Sequence, residues 1–97
     1  MNYLFHFAAE LEHLGHVAQY RAIRVGLGEK YLDDFEEVLA RICEAPHRLR
    51  LERPPNIRVA TLLKFPYFVY YRDRDGRVEV LAVSHFRQRP GYWAARI

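Results

Sequence analysis

The sequence predicts an α+β fold: a two-helix hairpin packed on a small, mostly antiparallel sheet, in the order β-α-α-β-β-β. Three patterns carry that reading. Apolar residues recur at spacings of three and four across the first half of the chain. Runs of β-branched and aromatic residues, each of strand length, fill the second half. Between two of those runs, Asp75-Gly76 is a strong signal for a tight hairpin. With 97 residues, 51% of them hydrophobic and 28% charged, the chain makes one globular domain over 1–97 with a single two-layer core.

The apolar-aromatic run Tyr3-Leu4-Phe5-His6-Phe7 predicts a first strand from Asn2 to Phe7. From Ala8 the period lengthens. Leu11, Leu14, Ala18, Ala22 and Val25 then form the apolar stripe of a first helix, while Glu10, Glu12, His13, His16 and Gln19 fall largely on its other side. Gly15 within it costs about 1 kcal/mol relative to alanine, so either a neighbour packs closely there or the loss is tolerated. Gly26-Leu27-Gly28 reverses the chain.

A second helix is predicted from about Glu29 to Glu44, with Tyr31, Leu32, Phe35, Val38, Leu39, Ile42 and Cys43 on one face. Its acidic residues gather toward the start and Arg41 lies near the end, in accord with the helix dipole. Pro46 stops it. The connector His47 to Asn56 holds Arg48, Arg50, Arg53 and Pro54-Pro55 and is expected to be extended and exposed. Strands follow at Ile57 to Leu63, Tyr67 to Arg72 and Arg77 to Ser84, with Pro66 at a strand start or bulge. The helices are expected to cover one face of the sheet, which leaves the other face and the strand ends to carry function.

Composition narrows the function classes. The single cysteine, Cys43, excludes an internal disulfide and a cysteine-based zinc site, and its place on a helix stripe predicts a buried, inert thiol. No apolar run is long enough to span a bilayer, and the N-terminal residues lack the zones of a secretory signal. No membrane association and a cytoplasmic location are therefore expected. His13 and His16 stand three apart on one helix, but no third ligand lies at a recognised spacing, so they read as solvated and neither a metal nor a cofactor is expected. The acidic run Asp33 to Glu37 reads as a solvated helix face, and most rings of Phe65 to Tyr71 as core.

Charge is unevenly divided. Residues 1–46 contain four Lys/Arg against eight Asp/Glu, and residues 47–97 contain eleven against four, so the halves carry −4 and +7. The second half is the candidate contact surface for a polyanion or an acidic partner. Its basic set is Arg58, Lys64, Arg72, Arg74, Arg87 and Arg89, joined by His85, Tyr92 and Trp93. The segment His85 to Trp93 has two readings. As a contact surface, its arginines and rings suit phosphate, an RNA base or an acidic protein. As an ordinary basic tail, it folds Tyr92 and Trp93 back over the sheet.

Taken together, several stretches resemble the RelE/ParE toxin superfamily. They are Phe5-His6-Phe7-Ala8-Ala9-Glu10-Leu11, the Gly-Leu-Gly break followed by Tyr31-Leu32-Asp33-Asp34-Phe35, Ala45-Pro46, Phe65-Pro66-Tyr67, Val80 to His85, and Arg87-Gln88-Arg89-Pro90-Gly91-Tyr92-Trp93. The resemblance implies the toxin of a bacterial type II toxin-antitoxin, plasmid-stabilisation type pair. Its partner would be a cognate antitoxin with an acidic, partly disordered segment, and a homodimer is possible.

Members similar to RelE cut messenger RNA on the ribosome without metal. On that model Arg72, Arg87 or Arg89, and Tyr92 are the catalytic candidates, with Lys64 as a phosphate contact; on either model Arg58, Lys64, Arg74, His85, Arg89 and Trp93 are expected to contact target or antitoxin. Members similar to ParE bind and inhibit DNA gyrase. The Phe65-Pro66-Tyr67 and Pro90-Gly91-Tyr92-Trp93 motifs look more like the ParE side, and the spacing from Arg87 to Tyr92 departs from the nuclease pattern. A third expectation is a degenerate domain that retains only antitoxin binding or dimerisation.

Overall fold

The computed structural model describes residues 2–97. Strand β1 (Tyr3–Phe5) leads directly into helix α1 (Phe7–Ile23), and helix α2 (Leu27–Glu44) follows. Strands β2 (Leu51–Arg53), β3 (Ile57–Thr61), β4 (Tyr67–Arg74) and β5 (Arg77–His85) come next, and a short 3₁₀ helix (Tyr92–Arg96) closes the chain. The expected order holds, with one addition. Part of the connector expected to be merely extended is strand β2, which pairs with β3 and makes the sheet five-stranded in the order β1-β5-β4-β3-β2. Only the β1–β5 pair is parallel.

Local chemistry sets the boundaries. His6 caps α1, its Nδ1 accepting the Ala8 N–H at 3.1 Å, so the helix begins at Phe7 and the first strand is shorter than expected. Gly26, at φ 84°, makes the turn between the helices. Asp75 (φ 54°) and Gly76 (φ 81°) both occupy the left-handed region, as a two-residue hairpin loop requires, and the Gly76 N–H donates to the Asp73 carboxylate. The close approach expected of Gly15 occurs instead at Gly28. A Cβ there would run into the Arg21 side chain and the Val17 carbonyl, whereas nothing lies within 4 Å of Gly15.

The core facing the helices gathers Tyr31, Phe35, Val38, Leu39 and Ile42 of α2 against Tyr67, Val69 and Tyr71 of β4 and Val78, Val80 and Val83 of β5. The step from Val80 to Val83 breaks strict alternation. A bulge between Tyr70 and Tyr71 shifts the register, so that Tyr71 faces Val80 while Tyr70 faces Ala82. Leu81 and Ala82 thereby join a second core on the opposite face, with Ile57, Val59, Tyr70 and Trp93.

Three expectations for the helices are corrected. The buried side of α1 is Ala9, His13 and Val17, and the stripe Leu11, Leu14, Ala18, Ala22 is exposed. The reason is that His13 and His16 both find partners inside and are not solvated. His13 Nδ1 lies 2.9 Å from the Tyr31 hydroxyl and its ring packs on Phe35, while His16 Nε2 lies 2.8 Å from the Val83 carbonyl oxygen. Asp34 is also buried. Its carboxylate accepts the N–H groups of Leu63, Lys64 and Phe65 at 2.8–3.0 Å and so clamps the β3–β4 connection to α2. Cys43 is half-buried, and burial raises its thiol pKa, which keeps it protonated.

Candidate functional site

Most of the residues singled out in the sequence gather in two zones, one at each end of β5. Near the β4–β5 turn, Glu79 is buried among cations. Its carboxylate accepts from Arg72 Nε at 2.7 Å and from Arg74 Nη1 at 3.2 Å. Arg72 is largely enclosed in that pair, and Arg74 is the exposed member. The pair removes most of the charge that Arg72 would otherwise offer a ligand.

At the other end of β5, His85 lies edge-on to Tyr67, and its Nδ1 accepts the Arg87 N–H at 3.1 Å. Arg87 and Arg89 are exposed and make no ion pair among the described residues. The chain then turns at Gly91 (φ 76°) and runs back over the sheet. Trp93 is 2% exposed, tilted against Tyr70 with 4.7 Å between centroids, and the Arg53 guanidinium sits 5.0 Å from its ring. Its assignment as a contact for target or antitoxin is corrected accordingly: it is a core residue, because the sheet face away from the helices offers apolar area that the tail must cover. Of the two readings of the tail, the structure realises the fold-back for Tyr92 and Trp93 and leaves the arginines outside.

One carboxylate holds the tail in place. Glu12, on α1, accepts the Tyr92 hydroxyl at 2.7 Å, the Arg96 guanidinium through both oxygens at 3.1 and 2.9 Å, and the Val83 N–H at 3.0 Å. Burial alone would raise the Glu12 pKa, but the bonds from Arg96, Tyr92 and Val83 outweigh it and hold the carboxyl below its ordinary range. Burial, and then the bond to Glu12, push the Tyr92 hydroxyl pKa upward. Its proton is committed to Glu12. Arg96 also donates to the Leu81 carbonyl at 3.0 Å. Neither Glu12 nor Arg96 was a sequence candidate. They lie 84 positions apart, and no local pattern joins them.

The remaining candidates lie elsewhere. Arg58 donates to the Leu49 carbonyl at 2.8 Å and so secures the connector to β3, while the Lys64 side chain is exposed beside the Asp34 clamp. Arg72 and Arg87 do not converge. Arg72 pairs in register with Glu79, six residues before His85 on β5, which is roughly 20 Å of strand at the usual rise per residue. Sequence reasoning also missed a groove of about 330 Å³ between α2, the connector and β3. Val38, Leu49, Val59 and Ala60 are among its lining residues, and Arg41, Arg48 and Arg50 bring positive charge to it. Among the described residues, no group of three or more His, Cys, Asp or Glu side chains is placed to hold a metal ion.

The chain superimposes on the chromosomal ParDE toxin-antitoxin system from P. aeruginosa with a TM-score of 0.72 at 17% identity, covering 88% of this chain and 95% of that one. It superimposes on the isolated E. coli RelE toxin with a TM-score of 0.57 at 19% identity, covering 98% and 95%. No curated protein matches significantly. The model of the ParE toxin of type II toxin-antitoxin systems (parDE) matches residues 6–90, and the chain belongs to that family.

Proposed function

We propose that this ParE-family chain acts by binding, with DNA gyrase as the target, and is neutralised by a cognate antitoxin whose acidic, partly disordered segment covers its basic surface. The observation that carries this reading is the dispersal of the nuclease candidates. Cleavage of RNA through the 2′-hydroxyl needs a base, an acid and phosphate-binding cations within reach of one phosphodiester. Here Arg72 is paired with Glu79 at one end of the sheet, Arg87 is at the other, and the Tyr92 proton is held by Glu12. That arrangement supports a binding protein over a metal-independent endoribonuclease.

Arg87 and Arg89 are the exposed cations offered to the target. The groove beside α2, apolar in its floor and bearing Arg41, Arg48 and Arg50, suits an amphipathic acidic segment that orders on docking.

The test is to assay the purified chain in parallel for inhibition of gyrase supercoiling and for cleavage of messenger RNA on translating ribosomes. Inhibition of supercoiling, lost in the Arg87→Ala/Arg89→Ala variant while its melting temperature is kept, is the expected result. Ribosome-dependent cleavage that disappears in Tyr92→Phe would overturn the proposal in favour of the nuclease.

A further inference from the structure

The outward side of α1 is more apolar than its inward side. Phe7 is 73% exposed, Leu11 56% and Leu14 55%, and Gly15, Ala18 and Ala22 lie exposed on the same face. At 100° per residue these six positions fall within a stripe roughly 100° wide along the helix. A contiguous exposed stripe of this kind on a small protein marks an interaction surface rather than scattered surface hydrophobicity.

We infer that this stripe is a self-association surface, on which two copies of the chain pair their α1 helices antiparallel about a two-fold axis. Three features of the stripe are self-complementary in that arrangement. The first is size. The large residues Phe7, Leu11 and Leu14 occupy the N-terminal half, and the small residues Gly15, Ala18 and Ala22 the C-terminal half. With the axis near residue 16, each copy sets Leu14 against the partner's Ala18 and Leu11 against the partner's Ala22, so bulk meets space in both directions. The second is room. A Cβ on Gly15 would meet nothing within 4 Å, so the middle of the stripe is open to a close approach of the two backbones.

The third is charge. Glu10 and Arg21 flank the stripe on the same side, one near each end of the helix. A two-fold axis along that side brings Glu10 of one copy opposite Arg21 of the other, twice over. Glu10 has no ion pair within its own chain among the described residues. Arg21 holds Glu29 through Nε and Nη2, and its remaining donors are free for a second carboxylate. A parallel pairing would instead set Phe7 against Phe7 and Glu10 against Glu10. The contact is isologous, as closed dimers require.

A 17-residue helix is about 25 Å long, and two such helices packed along one face bury on the order of 1,000 Å² in total, at the lower limit for a specific interface. A dimer dissociating at micromolar concentrations is therefore expected. The surface is independent of the groove beside α2 and of the basic tail, so the inference does not rest on the proposed target.

Sedimentation equilibrium of the purified full chain from about 1 to 200 µM tests it. Expected is a shift from 11.6 kDa toward twice that mass, abolished in Leu14→Lys. Because Leu14 is exposed, the variant's circular dichroism and melting temperature should match those of the wild type. Glu10→Arg and Arg21→Glu should each weaken the dimer about tenfold or more, and an equimolar mixture of the two variants should restore it, since each copy then supplies the charge that the other lacks. A chain that stays at monomer mass throughout overturns the inference. So does a dimer untouched by Leu14→Lys, and so does a mixture no more associated than either variant alone. If the wild type is monomeric and Leu14→Lys instead weakens antitoxin binding, the stripe belongs to the antitoxin.

Discussion

The helix-covered face of the sheet buries a cluster of fifteen residues drawn from both helices and the β3–β5 region, whereas the opposite face buries six under a single 3₁₀ turn. The first cluster is redundant. Tyr31 stacks on Phe35 and meets Tyr67 edge-on, and the Asp34 clamp adds a polar tie, so the hairpin does not rest on one contact. The second depends on Trp93 for its area and on Glu12 for its position. A small domain can therefore close one face with a large amphipathic unit and the other with a short tail, provided that a polar tie fixes the tail where apolar contact alone is thin. On the proposed reading, this division also separates stability from function. The hairpin face holds the fold together, and the tail face sets out Arg87 and Arg89 at its rim.

The sharpest way to break this comparison is Phe35→Ala. Removing a 2%-exposed ring between α1, α2 and β1 should cost about 4 kcal/mol and lower the stability of the whole chain in one transition, as measured by urea denaturation. A loss below about 1 kcal/mol would mean that the helix-covered core is far more adaptable than its packing implies.

Glu12→Gln comes next. It keeps the size of the side chain but weakens charge-assisted bonds to Arg96, Tyr92 and Val83, at a cost of about 2 kcal/mol. The loss should be local. Amides of Ala94 and Ile97 should exchange faster with solvent, while those of α2 keep their protection. If both regions lose protection equally, the two faces are one cooperative unit and the contrast fails.

The smallest effect is a pH slope from His13. Burial, reinforced by the neighbouring His16, lowers its pKa from 6.5 to about 4, so the folded chain binds fewer protons than the unfolded chain between those values. Stability is thus complete above pH 6.5 and falls as pH drops toward 4. Between pH 7.5 and 5.5 the loss from this group is about 1 kcal/mol. His16, whose pKa is also lowered, chiefly by burial, contributes with the same sign. Glu12 titrates below this window and adds its own loss only in stronger acid. Thermal melts of wild type and His13→Gln across the interval should show a shallower slope in the variant. A slope equal to that of the wild type would show that folding does not lower the His13 pKa.

Much of the fold was legible because its signals are local. The period of α2, the Asp75-Gly76 turn and the β-branched runs each act within a few residues, and each element stands where they put it. The face of α1 was misread for a physical reason. A helix with leucines on one side and histidines on the other is normally buried through its leucines, but here Tyr31 and the Val83 carbonyl accommodate the histidines inside. Asp34 was misread likewise, because its three N–H donors come from a turn about thirty residues away. At the candidate site, Arg87 and Arg89 are exposed cations as expected from composition. The pairing that occupies Arg72 and the bond that occupies Tyr92 were not visible, since Glu79 and Glu12 look like any other surface acid in sequence.

What the sequence determined by itself was the fold class, the order of elements and the concentration of positive charge in the second half, because periodicity, turn chemistry and composition need no partner to be read. Only the tertiary structure decided which side of α1 is buried, that the tail closes the second sheet face, and that the nuclease candidates stand apart. Each of those depends on atoms brought together across the chain, where a hydrogen-bond partner or an open space has no trace at neighbouring positions.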